Sequence, residues 1–249
     1  MSSQLARLIS YLSGVLLLVH SAAPQSPSAA NGQSLQIRGA SGHPSYFLHV
    51  WAKGAHGYVD VRDESKHSLQ TLRCRLLRDN AAASNLELQA ASEIFVSHFQ
   101  VADFNFDGYP DFIAPREFGA KWAKYCVWLF DPDTGKFVSG FLSTQLEQLS
   151  NLSVDPELRQ VISFSMGPTS PVWEEYRIDY TQKDRPQLKP VQSCRLETVS
   201  AGAEPEPPYN YTAIVVTRYE RGRPITERHP LAAAEKRGLQ TLCNAFPAL

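Results

Sequence analysis

Carboxylate and carboxamide side chains recur at alternate positions in one nine-residue stretch of the chain. Its pattern is D-x-N-x-D-G-x-x-D, formed by Asp103, Asn105, Asp107, Gly108 and Asp111. Hard oxygen donors at this spacing favour Ca²⁺, and glycine permits the sharp turn that brings them together. We predict side-chain ligands from Asp103, Asn105 and Asp107, the carbonyl of Tyr109, and Asp111 directly or through water. Magnesium fits less well, because it demands a tighter octahedron.

The segments around this stretch differ from those of an EF-hand. Position 12 of the loop is Ala114, where an EF-hand has a bidentate Glu. The flanks Ile94–Val96 and Phe112–Ala114 predict strands, where an EF-hand has helices. We therefore expect a calcium loop set in β-structure. The alternative is an Asp- and Asn-rich surface turn, which the same residues favour for backbone reasons.

The stretch DFNFDGYPDFIA resembles the FG-GAP or VCBS calcium loop of integrin-type propeller blades. With Gly119, Tyr125 and Val127–Phe137, the chain also resembles small bacterial periplasmic proteins that share this loop. The best understood of these are immunity proteins that inhibit a lysozyme-like effector of a type IV secretion system. The resemblance covers Phe95 to Ile178. It implies a calcium-binding, propeller-like protein that inhibits a peptidoglycan hydrolase by inserting a loop into its active site.

The N-terminus has the order of a secretory signal peptide. Arg7 precedes an apolar run over residues 8–19, and small residues follow at 21–23. A membrane span needs about 20 apolar residues, so we expect cleavage and no stable span afterwards. Together with the resemblance to periplasmic proteins, export of this kind implies the periplasm. A eukaryotic origin stays open, because Asn151-Leu152-Ser153 and Asn210-Tyr211-Thr212 match the N-glycosylation pattern. The predicted organisation is a signal peptide at 1–23, a flexible linker at 24–33 and a single β-rich domain at 34–249.

Composition and cysteine spacing narrow the class of protein further. The formal net charge of -1 argues against a nucleic-acid partner, and 43% hydrophobic residues suffice for a sizeable core. The four cysteines are widely spaced, which argues against a zinc knuckle and, after export, predicts two disulfides. Three pairings are possible. We favour Cys74 with Cys126 and Cys194 with Cys243, because each ties one half of the domain.

Alternating apolar residues and turn signals predict four consecutive hairpins. Their paired segments are 47–51 with 58–61, 125–130 with 136–139, 175–180 with 187–191, and 211–219 with 224–228. Helix is confined to a short turn at 145–152 and a C-terminal helix at 231–244. The fold class is therefore all-β, an antiparallel hairpin meander in a small propeller-like or sandwich arrangement.

Catalytic signatures are missing from the sequence. It contains no G-x-S-x-G, H-E-x-x-H, P-loop or dinucleotide fingerprint, so we expect no enzyme and no catalytic residue. Two other classes stay open. One is a secreted adhesion or carbohydrate-binding β-module, and the other is an uncharacterised hydrolase.

Two loops carry aromatic residues suited to a protein partner. The loop Arg116–Lys124 is the first candidate, with Trp122 and Tyr125 as anchors and Lys121 as a hydrogen-bond donor to an acidic cleft. We expect calcium at its base to fix the direction in which it leaves the sheet. The second candidate is the Pro-stiffened turn 167–173 with Trp173. The alternative for each is a core aromatic beside solvated polar residues.

Overall fold

The computed structural model describes residues 32–37, 45–77, 83–166, 170–182, 185–198, 211–231, 234 and 242–243. The predicted signal peptide and nearly all of the predicted linker lie outside these ranges. Within the described ranges, no helix combines the length and apolar character that crossing a bilayer requires.

The described chain forms fourteen strands in three antiparallel sheets, so the all-β prediction is confirmed. The first sheet contains β1 (Gln33–Ile37), β2 (Tyr46–Lys53), β3 (His56–Arg62) and β4 (Ser68–Arg75). The second contains β5 (Gln100–Ala102), β6 (Asp111–Phe118), β7 (Ala123–Asp131) and β8 (Lys136–Val138). The third contains β9 (Ser153–Asp155), β10 (Gln160–Met166), β11 (Pro171–Asp179), β12 (Gln187–Thr198), β13 (Tyr211–Glu220) and β14 (Arg223–Pro230).

All four predicted hairpins are present, as β2–β3, β7–β8, β11–β12 and β13–β14. In every sheet the strands pair in chain order, which makes each sheet a meander. Helix α1 (Asn85–Ser97) lies before the second sheet, and α2 (Phe141–Leu146) follows it. The short helix was thus predicted four residues too late. Of the predicted C-terminal helix, only residues 231, 234, 242 and 243 are described, and the first three are helical.

The second sheet lies between two hydrophobic cores. On β7, Cys126, Trp128 and Phe130 pack into one core with the first sheet and α1. The alternate residues, Tyr125, Val127 and Leu129, pack into the other core with α2 and the third sheet. Both faces of the central strands are therefore covered, which explains their continuous apolar sequence. The first and second sheets share one core, and the second and third sheets share the other.

Helix α1 overturns the strand predicted at Ile94–Val96. Ser84 and Glu87 form a reciprocal capping box, in which the Glu87 carboxylate accepts the Ser84 N–H at 2.7 Å. Phe95 then packs fully buried in the first core. The strand before the predicted calcium loop is the three-residue β5 instead, so the loop still joins two strands.

Both predicted disulfides are confirmed. Cys74 in β4 bonds Cys126 in β7, and this bond links the first sheet to the second. Cys194 in β12 bonds Cys243, and this bond ties the C-terminal segment to the third sheet. Leu231, Ala234 and Leu242 pack around the second bond in a third, smaller core, together with residues of β11, β12 and β13. The described residues include no free cysteine.

Candidate metal centre

The predicted calcium loop folds around the carboxylate of Asp103. The backbone N–H of Asp107 donates to Asp103 Oδ1 at 3.1 Å, and the N–H of Gly108 donates to Asp103 Oδ2 at 2.8 Å. Gly108 has φ of +91°, a backbone conformation that side-chain-bearing residues rarely adopt. These bonds curl the segment so that the following donors turn back toward Asp103.

Asn105 and Asp107 meet inside that curl. The amide Nδ2 of Asn105 donates to Asp107 Oδ2 at 2.8 Å, and Asn105 Oδ1 accepts the Asp107 N–H at 3.2 Å. Asp107 Oδ1 accepts the N–H of Tyr109 at 2.8 Å. The ring of Tyr109 stacks on Phe130 with 5.2 Å between centroids. The middle of the loop is therefore fastened to itself and to β7.

Asp111 is fully buried at the start of β6. Its Oδ2 accepts the backbone N–H groups of Phe104 at 2.8 Å and Asn105 at 3.2 Å. Its Oδ1 accepts the N–H of Phe130 in β7 at 2.8 Å. The lone pairs of Oδ2 are thus occupied, and one on Oδ1 remains for a further partner. Asp111 joins both ends of the loop to the sheet.

Burial and neighbouring negative charges raise the pKa of two aspartates of the loop, Asp111 and Asp107. Burial raises the pKa of Asp111 to about 8; the N–H donors of Phe130 and Phe104 oppose this rise, while the nearby charges of Asp107 and Asp103 add to it. Partial desolvation inside the curl of the loop raises the pKa of Asp107, and the charge of Asp103 adds to this rise, although part of the Asp107 residue reaches solvent. Negative charges so close together favour either protonation or a bound cation. A divalent cation would remove the repulsion.

The donor set fits a calcium ion better than it fits a transition metal. Asp103 and Asp107 supply carboxylate oxygen, Asn105 supplies amide oxygen, and the loop contains no sulfur or imidazole donor. In the described part of the chain, no group of three or more His, Cys, Asp or Glu side chains is arranged to hold a metal ion. The predicted calcium ligands are not a group of that kind, because they combine carboxylates with the amide of Asn105 and the backbone carbonyl of Tyr109. Calcium at this loop stays a prediction.

The loop also contacts the third sheet. The Tyr180 hydroxyl, just after β11, donates to the carbonyl of Asn105 at 2.5 Å. The guanidinium of Arg159, in the β9–β10 turn, donates to the carbonyl of Phe106 at 2.5 Å and lies 5.8 Å from the Phe106 ring centroid. An open depression of about 580 Å³ borders Asp103 and Asp107 and extends to this turn.

The predicted partner loop lies at the other end of β6 from the metal loop. Asp111 begins β6 and Phe118 ends it, so the strand separates the two by roughly 23 Å. Calcium at Asp103–Asp111 therefore does not sit at the base of the Arg116–Lys124 loop, and that expectation is wrong. Arg116 and Glu117 are also buried within β6, at 4% and 5% exposure. The connection between the strands is a four-residue tip, 119–122.

The tip is held by Asn151, which the sequence marks only as the first residue of a glycosylation triplet, and by the packing of Trp122 on Gly119. The N–H of Gly119 donates to the Trp122 carbonyl at 2.8 Å. A Cβ on Gly119 would lie 2.3 Å from Trp122 Nε1, so only glycine permits the indole to rest there. From beyond α2, Asn151 Nδ2 donates to the carbonyls of Lys121 (3.0 Å) and Phe164 (2.9 Å).

Asn151 makes two further bonds to Ala123, the residue that follows the tip and begins β7. Its Oδ1 accepts the N–H of Ala123 at 2.9 Å, and its own N–H donates to the Ala123 carbonyl at 2.8 Å. Asn151 adopts φ of +47°, which Asn tolerates better than most residues. The sequence offers little to reveal this role. It shows an Asn in the connection between α2 and β9, and many Asn residues in connections have no such role. Both N–H bonds of its Nδ2 are used, so its N-L-S triplet does not offer a free amide.

The structure separates the four predicted partner residues. Trp122 is 39% exposed at the tip beside the exposed Lys121. Tyr125 is 6% exposed and packs in the core between the second and third sheets. Trp173 is 7% exposed, and its ring packs tilted against that of Phe164 in β10 with 5.0 Å between centroids. Burial makes Tyr125 and Trp173 core residues, which corrects their assignment as partner anchors. Residues 167–169 of the second predicted loop lie outside the described ranges.

Comparison of the chain with protein-family models and with curated proteins found no match.

Proposed function

We propose that this protein is an exported, calcium-stabilised binding protein that inhibits a lysozyme-like peptidoglycan hydrolase, acting as an immunity protein in the periplasm. The observation that carries the proposal is Trp122, an exposed indole on a short tip held by Asn151. Tryptophan is strongly enriched among residues that dominate protein interfaces. A tip that is already fixed loses little conformational entropy when it enters a cleft.

The resemblance of the metal loop to periplasmic immunity proteins supplies the partner in this proposal. The two disulfides are compatible with an oxidising compartment, which supports export. Lys121 beside Trp122 would place a cationic side chain near the acidic residues of a muramidase cleft. Calcium would hold Asp103, Asn105, Asp107 and the Tyr109 carbonyl together at the far end of β6. Its role in the proposal is structural.

The test is a titration of muramidase activity with the purified protein in calcium. The enzymes are a panel of lysozyme-type muramidases that includes lysozyme-like secreted effectors. We expect inhibition that is complete near a 1:1 ratio for at least one of them. Trp122→Ala should weaken it roughly 30-fold, the effect of losing a hot spot of about 2 kcal/mol.

A matched variant separates the tip from exposed aromatics in general. Phe141 begins α2 and is 45% exposed, comparable to Trp122. Phe141→Ala should inhibit as well as the wild type does. Failure to inhibit any enzyme of the panel would remove the proposal. Binding to a glycan array or to purified peptidoglycan, lost in Trp122→Ala, would favour the carbohydrate-binding module instead.

A further inference from the structure

A small groove lies where the metal loop meets the third sheet. It has a volume of about 310 Å³ and is defined by six lining residues. They are Phe106, Leu158, Arg159, Arg177, Ile178 and Tyr180. We call it the arginine groove. Its residues come from the metal loop, the β9–β10 turn and the end of β11, three segments that are distant in the sequence.

The charged side chains that line the arginine groove are both positive. Its two ionised side chains are Arg159 and Arg177, and no carboxylate is among its lining residues. Arg159 donates one hydrogen bond, to the carbonyl of Phe106, and a guanidinium carries five N–H donors. Arg177 pairs with Lys189 through the backbone ladder of β11 and β12, and its exposed side chain has no hydrogen-bond or ion-pair partner among the described residues. Several donors are therefore available to an acceptor entering the groove.

Apolar and aromatic surface surrounds these donors. Leu158 is 43% exposed and Tyr180 is 46% exposed, so both present apolar surface to solvent beside the arginines. The Tyr180 hydroxyl is fixed on the Asn105 carbonyl, so its ring has a defined position. Tyrosine and arginine are the residue types, with tryptophan, that most often dominate binding surfaces.

Two groove residues have backbone conformations that cost free energy. Phe106 has φ of +59° and Arg159 has φ of +51°. A bulky side chain seldom occupies this region, and such strain concentrates at binding and switch sites. The hydrogen bond between Arg159 and the Phe106 carbonyl joins the two directly. The fold thus maintains two unfavourable conformations that together shape one groove.

We propose that the arginine groove binds a single Glu or Asp side chain, flanked by apolar residues, on a partner protein. A guanidinium recognises a carboxylate through paired, charge-assisted hydrogen bonds. Asp107 and Glu157 line the adjoining depression and would repel a continuous polyanion such as a nucleic acid. An isolated carboxylate with apolar neighbours matches both the two arginines and the exposed Leu158 and Tyr180.

This site is separate from the Trp122 tip. The groove includes Phe106, in the loop before β6, whereas Trp122 lies beyond the end of that strand. The inference therefore goes beyond the proposed function and does not require it. A protein can inhibit a muramidase through its tip without using the groove, and the groove can bind without any inhibition.

The experiment measures binding of a fluorescein-labelled peptide with one central glutamate between leucine and phenylalanine. Its control is the same peptide with glutamine at the centre. Anisotropy titrations in calcium use the full chain and three variants: Arg177→Gln, Arg223→Gln and Trp122→Ala. Arg223 is an exposed arginine on β14, so its variant removes the same charge elsewhere on the surface.

We expect the glutamate peptide to bind and the glutamine peptide to bind at least tenfold more weakly. Arg177→Gln should weaken the glutamate peptide about tenfold, as expected for one charge-assisted hydrogen bond. Arg223→Gln and Trp122→Ala should leave its affinity unchanged. Equal binding of the two peptides, no binding of either, or equal losses in Arg177→Gln and Arg223→Gln would each overturn the proposal. A loss confined to Trp122→Ala would place the peptide at the tip and would also overturn it.

Discussion

The buried carboxylate of Asp111 accepts the backbone N–H of Phe130 at 2.8 Å, which joins the start of β6 to β7 directly beneath the metal loop. The same carboxylate accepts two N–H groups from the loop itself. Asp107, four residues earlier, is exposed, and its partners all lie within the loop. The two aspartates therefore have different structural roles although both belong to the predicted ligand set.

Asp111→Ala and Asp107→Ala should differ in thermal melts with calcium and with chelator. Asp111→Ala leaves the backbone N–H groups of three buried residues, Phe104, Asn105 and Phe130, without their acceptor. We expect a loss of about 2 to 4 kcal/mol in either condition. Asp107→Ala should match the wild type in chelator and lose only the stabilisation that calcium adds. That stabilisation is about 2.7 kcal/mol at a calcium concentration of 100 times the Kd.

Two results of these thermal melts would contradict the prediction. Identical wild-type melting in calcium and chelator would mean that residues 103–111 are a surface turn, the alternative that the sequence left open. Equal losses for both variants in chelator would show that Asp107 is as structural as Asp111.

Asn151→Ala should free the Trp122 tip. The change removes the side-chain bonds to Lys121, Ala123 and Phe164, at about 0.5 to 1.5 kcal/mol each. We expect faster hydrogen exchange at the Ala123 amide and weaker muramidase inhibition, because a mobile tip must be ordered on binding. Hydrogen exchange followed by NMR measures the first effect, and the activity titration measures the second.

Asn151→Asp is the matched control for that variant. It retains an acceptor for the Ala123 N–H and removes the donor to Lys121 and Phe164, so protection at Ala123 should survive. Unchanged exchange at Ala123 in Asn151→Ala would contradict the positioning role. Full inhibition by Asn151→Ala despite fast exchange would separate partner binding from the rigidity of the tip.

Removal of the Cys74–Cys126 bond should destabilise the contact between the first and second sheets. The bond closes a loop with a sequence separation of 52 residues. Chain entropy then predicts a loss of about 4 kcal/mol in the double Ala variant, within the usual range of 2 to 5. Denaturant unfolding measures it. The Cys194–Cys243 double variant, with a sequence separation of 49, should lose a similar amount of unfolding free energy. A loss below about 1 kcal/mol in both variants would show that the hydrophobic cores hold the sheets together without the disulfides.

The hairpins were predictable because their signals are local. In β2–β3, the alternation of apolar and polar residues and the turn between the strands are complete within residues 46–62. The metal loop is local in the same sense. Helix α1 also has a local signal, the capping pattern formed by Ser84 and Glu87. Without that pattern, the apolar triplet Ile94–Val96 indicates a strand.

Burial and site geometry were not predictable because they depend on distant parts of the chain. Tyr125 has the composition of an interface anchor, and only the third sheet packed against β7 makes it a core residue. Asp111 and Trp122 lie at opposite ends of β6 because the strand is eight residues long. The sequence predicted a strand only for its first half. The contact of Arg159 with Phe106 spans 53 residues, and no local pattern indicates it.

Calorimetric titration of the metal-free protein with calcium tests the central claim most directly. We expect one ion per chain for the wild type, with free calcium raised to about 5 mM to cover weak extracellular sites. Asp107→Ala should give no saturable heat, and the wild type should bind no magnesium with comparable affinity. An absence of saturable binding by the wild type, or binding that Asp107→Ala leaves intact, would contradict a calcium site at residues 103–111.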